Sequence, residues 1–264
     1  MYPTENGMRR TAPALSVAGT AAGEAEGWVH STETFGASDG PGIRYLLFLS
    51  GCPLHCIYCH NPDTWHRRDG QLMTAAEVLA DIDRYRQFIG GHGGVTLSGG
   101  EPLVQPYFCA AVLRGCKEMG LHTALDTSGY LGSRADDEML ADVDLVLLDI
   151  KASSETIHRR ITDVRLEPTA AFAERLADLG KPVWLRYVLV PGYTDNLDDI
   201  AGLATYAAGL GNVERVDVLP FHKLGEPKWR ARGLSYGLAS VAPPSEERTG
   251  EAREIFRAAG LFVT

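Results

Sequence analysis

At 264 residues and 45% hydrophobic content, the chain can bury a sizeable core, and a single α/β domain is the expectation rather than two small ones. A formal charge of −9 gives no broad basic surface to attract a phosphate backbone, so nucleic acid is not an expected partner. No apolar run approaches the roughly 20 residues of a membrane span, and the start of the chain lacks a secretory apolar core, so the expectation is a cytoplasmic protein without membrane contact.

Residues 1–26, rich in Gly, Ala and Thr, show no periodicity and read as a disordered N-terminal extension, which leaves 27–264 as one domain. From Trp28 onward, short apolar runs rich in β-branched residues alternate with longer segments of helical period. Strands are predicted over 44–50, 95–98, 122–126, 145–149, 183–190 and 213–219. Helices are predicted over 74–88, 107–119, 136–141, 169–179, 197–208 and 246–259. Thr74 followed by Glu77 has the pattern of a capping box, and Gly120 and Gly180 fall where helix C-caps belong. Strand and helix in strict alternation imply parallel strands joined by crossover helices, an α/β fold of the partial, open (β/α)6 barrel type.

In such folds the working site collects at the carboxyl ends of the strands. Those ends read Ser50-Gly51-Cys52, Ser98-Gly99-Gly100-Glu101-Pro102, Asp126-Thr127, Asp149-Ile150-Lys151 and Leu219-Pro220-Phe221-His222. Three of the five cysteines crowd into the loop after the first of these strands, with the spacing Cys52-x3-Cys56-x2-Cys59. One loop carrying three thiols suits a single metal centre. An iron-sulfur cubane usually takes four thiolates, and with no fourth cysteine nearby one iron would remain open to a small molecule. The alternatives are a zinc site completed by His55 or His60, which as a zinc knuckle would make the chain an interaction module, and a purely structural or reactive role for the thiols. Cys109 and Cys116, seven apart on a predicted helix, share one face and read as buried core. Taken without further context, Gly99, Gly100 and Glu101 suit an ordinary turn, Lys151 and His222 surface positions, Asp126 and Asp149 helix caps, Arg186 a structural ion pair, and Asp39 an Asx turn.

The Cys52–Cys59 loop, with Tyr58 before its last cysteine, together with Ser98-Gly99-Gly100-Glu101-Pro102, resembles the radical S-adenosylmethionine superfamily. Asp39-Gly40-Pro41-Gly42-Ile43-Arg44, Tyr58-Cys59-His60-Asn61, Asp63-Thr64-Trp65, Trp184-Leu185-Arg186-Tyr187 and Leu219-Pro220-Phe221-His222-Lys223-Leu224-Gly225 extend the likeness to glycyl-radical-enzyme activases of the pyruvate formate-lyase type. Activases of other glycyl-radical enzymes often carry added cysteine clusters after the first loop, and no cysteine lies between Cys59 and Ser98. The resemblance implies a [4Fe-4S] cluster on Cys52, Cys56 and Cys59 and S-adenosylmethionine as the ligand of its open iron. It implies contacts to that ligand from Tyr58, Cys59, His60, Gly99, Gly100, Glu101, Asp149, Ile150, Lys151, Arg186 and His222. It further implies a monovalent cation on Asp126, Thr127 and Asp149, and a part for Asp39 in holding the substrate's glycine loop. The partners it implies are pyruvate formate-lyase as protein substrate and flavodoxin or ferredoxin as electron donor, with the chain itself a monomer. Another glycyl-radical partner, such as anaerobic ribonucleotide reductase, or a small molecule is the alternative substrate.

Overall fold

The computed structural model of the protein describes residues 22–264. Of the extension expected over 1–26, residues 22–26 are folded: Ala25 O accepts from Ala75 N at 2.8 Å, and Glu26 pairs with Thr74 in a sheet. The remainder lies outside the described residues.

The chain runs β1 (Glu26–Gly36), β2 (Arg44–Leu49), β3 (Gln71–Thr74), α1 (Ala75–Ile89), β4 (Gly94–Gly99), α2 (Pro106–Glu118), β5 (His122–Thr127), α3 (Asp137–Ala141), β6 (Leu145–Asp149), α4 (Glu155–Thr162), α5 (Glu167–Asp178), β7 (Val183–Leu189), α6 (Leu197–Leu210), β8 (Val213–Pro220), α7 (Glu226–Ala231) and α8 (Glu246–Ala258). The strands make one sheet in the order β3-β1-β2-β4-β5-β6-β7-β8. The last six pair in parallel, as the alternation of strand and helix requires, while β1 and β3 join antiparallel at one edge. Among the described residues β3 and β8 do not pair, so the barrel is open.

Side chains on a strand alternate between faces, and here the two faces do different work. Leu47, Leu49, Val95, Leu97, Leu125, Val146, Leu148, Leu185 and Tyr187 point outward and are sealed by the apolar stripes of the helices, such as Val78 and Ile82 of α1, Val112 and Cys116 of α2, and Phe256 of α8. Each such side chain contributes about 1.5–3 kcal/mol when fully buried. The inner face starts apolar at one end, with Ala124, Leu145 and Leu147. Toward the carboxyl ends the same inward positions become Ser98, Asp126, Asp149 and Arg186, which line a cavity.

Local signals hold the crossovers. Thr74 Oγ1 accepts from Glu77 N at 3.2 Å while Thr74 N donates back to Glu77 Oε2 at 2.7 Å, the reciprocal box expected from sequence. Gly120 and Gly180 take the left-handed φ values of +72° and +61° that end α2 and α5.

Candidate active site

The cysteine loop leaves β2 through Gly51, whose φ of +102° suits glycine, and is then fastened on several sides. Gly51 N donates to Thr64 O at 2.6 Å and Cys52 N to Trp65 O at 3.1 Å. His55 N and Ile57 N donate to Thr162 O and Ile161 O at the end of α4, at 3.1 and 3.0 Å. The Trp229 indole of α7 donates to Cys59 O at 2.8 Å, and Gln105 joins Ser50 O to Trp28 O. The loop therefore has little freedom to rearrange. Trp65, Trp229 and Tyr236 pack around it, the two indoles edge to face with centroids 5.1 Å apart.

Cys52, Cys56 and Cys59 all border one cavity of about 430 Å³, and Cys109 and Cys116 do not. The latter two are buried under α2, as the sequence reading expects. Burial pushes the Cys56 thiol up to about 12 and raises Cys52 and Cys59 as well, so without metal the three are neutral thiols and metal binding must displace their protons. Asn61 N donates to Cys59 Sγ at 3.4 Å. Three soft donors on one rigid loop, facing a cavity that no fourth cysteine borders, fit a [4Fe-4S] cluster with one iron free of protein ligands.

Opposite the thiols, the strand ends bring charged groups together. Lys151, almost fully buried, lies 3.0 Å from Asp149 Oδ2 and 5.7 Å from the centre of the Tyr58 ring. Burial works against its charge, yet Asp149 holds it well above the usual lysine range. Arg186 Nη1 lies 3.3 Å from Asp39 Oδ1 and 3.2 Å from Asp126 Oδ2, and Ser98 Oγ donates to the same Asp126 oxygen at 2.6 Å. His60 and His222 stack with centroids 4.2 Å apart on the cavity wall, and His60 Nε2 donates to His222 O.

Gly99 (φ +116°) and Gly100 turn beneath the thiol loop. A Cβ on Gly99 would lie 2.2 Å from Leu49 N, and one on Gly100 2.5 Å from Gly51 O, so neither position admits a side chain without moving backbone.

The structure corrects two expectations. Glu101 does not face the cavity: it is fully buried and takes hydrogen bonds from Leu103 N, Thr127 Oγ1, Ser128 N and Ser128 Oγ. Burial raises its carboxyl despite these bonds, and its work is to tie the Gly99-Gly100 turn to the end of β5. Ile150 also points away, into the outer core. Asp126, Thr127 and Asp149 meet at neighbouring strand ends on the cavity wall, where Arg186 lies 3.2 Å from Asp126, Lys151 lies 3.0 Å from Asp149, and Thr127 donates to Glu101.

Asp126 itself is pushed up to about 6, first by burial, with Arg186 opposing and Asp149 adding to the rise. Between pH about 4 and about 6 the folded chain then holds a proton that the unfolded chain has released, so this group's contribution to stability falls as pH rises through that window. Asp126→Asn lacks the dependence. Relative to the parent it is expected to gain about 1 kcal/mol between pH about 5 and about 7.5, read from urea unfolding of the metal-free proteins at both pH values.

Fold and site together define a radical S-adenosylmethionine domain, and the family model described as the radical SAM superfamily matches residues 46–204. Similarity to whole proteins narrows the assignment. The chain is 42% identical over 237 residues to a pyruvate formate-lyase-activating enzyme of Streptococcus mutans, covering 87% of this chain and 90% of that one. It is 41% identical over 241 residues to pyruvate formate-lyase 1-activating enzyme of Escherichia coli, covering 90% and 98%. A crystal structure of a domain of pyruvate formate-lyase-activating enzyme from Bacteroides vulgatus superposes with a TM-score of 0.54 at 28% identity, covering 65% of this chain and 98% of that one. The chain belongs to the family of pyruvate formate-lyase-activating enzymes within the radical SAM superfamily, whose cofactors are a [4Fe-4S] cluster and S-adenosylmethionine.

Proposed function

We propose that the protein installs a glycyl radical on pyruvate formate-lyase under anaerobic conditions. The observation that carries this reading is the trio of thiols, without a fourth, facing paired cationic and anionic side chains across one cavity. When bound, the cluster supplies one electron that splits S-adenosylmethionine into methionine and a 5′-deoxyadenosyl radical, which takes a hydrogen atom from the α-carbon of a glycine in the partner.

The chain's own residues bind and orient. Cys52, Cys56 and Cys59 hold the cluster. Lys151 and Arg186 are cations at the cavity wall for the carboxylate of S-adenosylmethionine, and Asp149 suits its ammonium. The Gly99-Gly100 backbone lies within reach of the same ligand because it carries no side chains. Tyr58, His60 and His222 line the remaining wall, where they exclude water and other hydrogen donors. Acid-base catalysis has no place in this chemistry, and positioning is the main contribution of the protein. Any monovalent cation at Asp126, Thr127 and Asp149 would have to compete with Arg186 and Lys151. Among the described residues no helix is long and apolar enough to cross a membrane. We place the protein in the cytoplasm as a monomer, with flavodoxin or ferredoxin as the electron source.

Asp39 is set to receive the glycine loop by a relay behind it. Arg44, fully buried, donates from Nε to Thr96 Oγ1 at 2.6 Å, and Thr96 Oγ1 donates to Asp39 O at 2.6 Å. Arg44 also donates to Pro41 O, which fixes the Asp39-Gly40-Pro41-Gly42 turn. Thr96→Val breaks the relay without removing a charge and is expected to cost about 1–3 kcal/mol. Radical formation on the partner is expected to slow about ten-fold while cleavage of S-adenosylmethionine alone stays near normal. Parallel assays of glycyl radical and 5′-deoxyadenosine check the split.

The function is tested by mixing the reduced protein with S-adenosylmethionine and pyruvate formate-lyase and recording the electron paramagnetic resonance spectrum. A glycyl radical is the expected signal. Cleavage without a radical on this partner would assign the activase to a different glycyl-radical enzyme.

A further inference from the structure

Arg44 is fully buried, and each of its five N–H groups is spent once on a neutral acceptor. Besides Thr96 Oγ1 and Pro41 O, the acceptors are Val95 O at 2.5 Å, His122 O at 3.4 Å and His122 Nδ1 at 3.3 Å. Arginine can only donate, so Nδ1 carries a lone pair here and the proton of the neutral ring sits on Nε2. Of the residues that supply these acceptors, only His122 titrates near neutral pH.

Two glycines make these contacts fit. His122 pairs with Gly94 across β4 and β5, and a Cβ on Gly94 would lie 2.0 Å from His122 O and 3.1 Å from Arg44 Nη1. A Cβ on Gly40 would lie 2.8 Å from Arg44 Cδ and 2.9 Å from its Nε, so the Asp39-Gly40-Pro41-Gly42 turn rests directly on this side chain. His122, half-buried at the start of β5, is thereby joined to Asp39 through Arg44 and Thr96, while His122, Arg44 and Thr96 all lie outside the cavity wall. The charged groups that face the ring are Arg44 of β2, Asp144 before β6, and Lys117 of α2, which is bound to Asp144 at 2.6 Å. Burial first, then Arg44, lowers the imidazole below its ordinary range; Asp144 opposes them and Lys117 adds to the fall. Cys116 of α2, also near Arg44, is pushed up to about 12 by burial and stays neutral.

We propose that His122 is a positioning residue for the partner's glycine loop: its neutral ring braces Arg44 beneath the Asp39-Gly40-Pro41-Gly42 turn, and its protonation releases that brace. The inference rests on the function proposed above and adds to it a proton, taken up from solvent, that governs how well the turn is held. An imidazolium presents an N–H where Arg44 needs a lone pair, and it sets two cations 3.3 Å apart beside the core. Arg44 does not relieve the clash by losing its own proton, since burial lowers it only to about 10. Its Nη1 must swing away instead, and because the guanidinium is one rigid plane, the Nε bond to Thr96 that carries Asp39 turns with it. As pH falls, the unfolded chain takes up this proton before the folded chain does, so the turn loses stability toward acid. Asp126 acts in the opposite sense, its contribution growing toward acid, which keeps the two groups separable.

The test follows the holoenzyme and two variants from pH about 7.5 to about 5.5. His122→Asn keeps a neutral acceptor near the Nδ1 position at every pH, and His122→Leu removes it at every pH. Nuclear magnetic resonance reads the His122 ring and the Gly40 and Gly42 amides, and parallel assays read glycyl radical formed per 5′-deoxyadenosine released. In the parent the ring is expected to titrate below its ordinary value and the two amides to shift with the same midpoint. The ratio is expected to fall about ten-fold toward acid relative to the Asn variant, and to be low in the Leu variant already at pH about 7.5, while cleavage of S-adenosylmethionine alone stays near normal in all three. Asp126 and the partner's own titrations are common to parent and Asn variant, so the difference between them isolates His122. A ring that stays neutral down to pH about 5.5, amides indifferent to its titration, or an acid fall equal in parent and Asn variant would overturn the positioning role. So would a low ratio in the Asn variant at pH about 7.5, which would make the shape of the ring, and not its proton, the brace. Should the Leu variant not fold, the Asn comparison decides alone. If the parent formed no glycyl radical at pH about 7.5, the proposed function would fail, and the resonance measurements would still decide the brace.

Discussion

Replacing Cys56 with alanine is expected to abolish cleavage of S-adenosylmethionine, with 5′-deoxyadenosine at background by chromatography, while the polypeptide stays folded. The two effects separate because they differ in size. Cys56 is 9% exposed and packs with Leu54, Tyr58, Phe221 and Trp229, so losing one sulfur atom leaves a small cavity that costs about 1 kcal/mol. The loop keeps its backbone bonds to Ile161, Thr162 and Trp229, none of which involves the thiol. Cluster assembly has no such reserve, because the cavity offers no other cysteine. Cys109→Ala and Cys116→Ala serve as controls. Both remove fully buried sulfurs from the α2 core and are expected to lower stability by about 1–2 kcal/mol with the iron content intact.

Arg186→Met is expected to lower glycyl-radical formation at least 100-fold, about 2.7 kcal/mol of lost transition-state stabilisation. One guanidinium joins the Asp39 turn before β2, Asp126 at the end of β5 and its own strand β7, and Asp126 above all holds it charged. Without it, two mostly buried carboxylates face each other with no cation between them, a loss of roughly 3 kcal/mol in stability. Arg186→Lys keeps the charge but on a shorter, compact ammonium in place of the Nη1 that lies within reach of both carboxylates, so it should fall between parent and Met. Radical yield by paramagnetic resonance and urea midpoints check both effects. A Met variant with parental radical yield would remove Arg186 from the site.

The six parallel strands, the five helices predicted between them and the one after the last strand were legible because each is a buried, patterned run. The Arg44–Leu49 strand is apolar at five of six positions, as befits a strand covered on both faces. The antiparallel edge was not legible. Glu26–Gly36 mixes Thr, Glu, Ser and His with few apolar residues because beyond Val29 no strand among the described residues pairs with its outer side, and Gln71–Thr74 has only four residues. The helices Glu155–Thr162 and Glu226–Ala231 have only eight and six residues and are rich in charge, too short for an apolar periodicity to stand out, although both hold the cysteine loop.

At the site, the thiol spacing and the glycine pair were legible since the chemistry lies in adjacent residues. Glu101 shows the limit. Its place after Gly100 suggested a ligand contact, and only the fold reveals Thr127 and Ser128 closing over it from β5. The Arg186 pair with Asp39 joins positions 147 residues apart, set by the register of strands that no local pattern encodes. Gln105 and Trp229, which brace the cysteine loop from behind, gave no signal of their own, whereas Ser98 and Trp65, which line the cavity, lie within the motifs.

The central claim is an iron that the protein leaves open for S-adenosylmethionine. The most direct measurement is the electron paramagnetic resonance spectrum of the anaerobically purified, reduced protein before and after adding S-adenosylmethionine. The account predicts a cluster signal whose line shape changes on addition, as the ligand occupies the open iron. A cluster signal indifferent to S-adenosylmethionine, or a colourless protein holding one zinc, would contradict it.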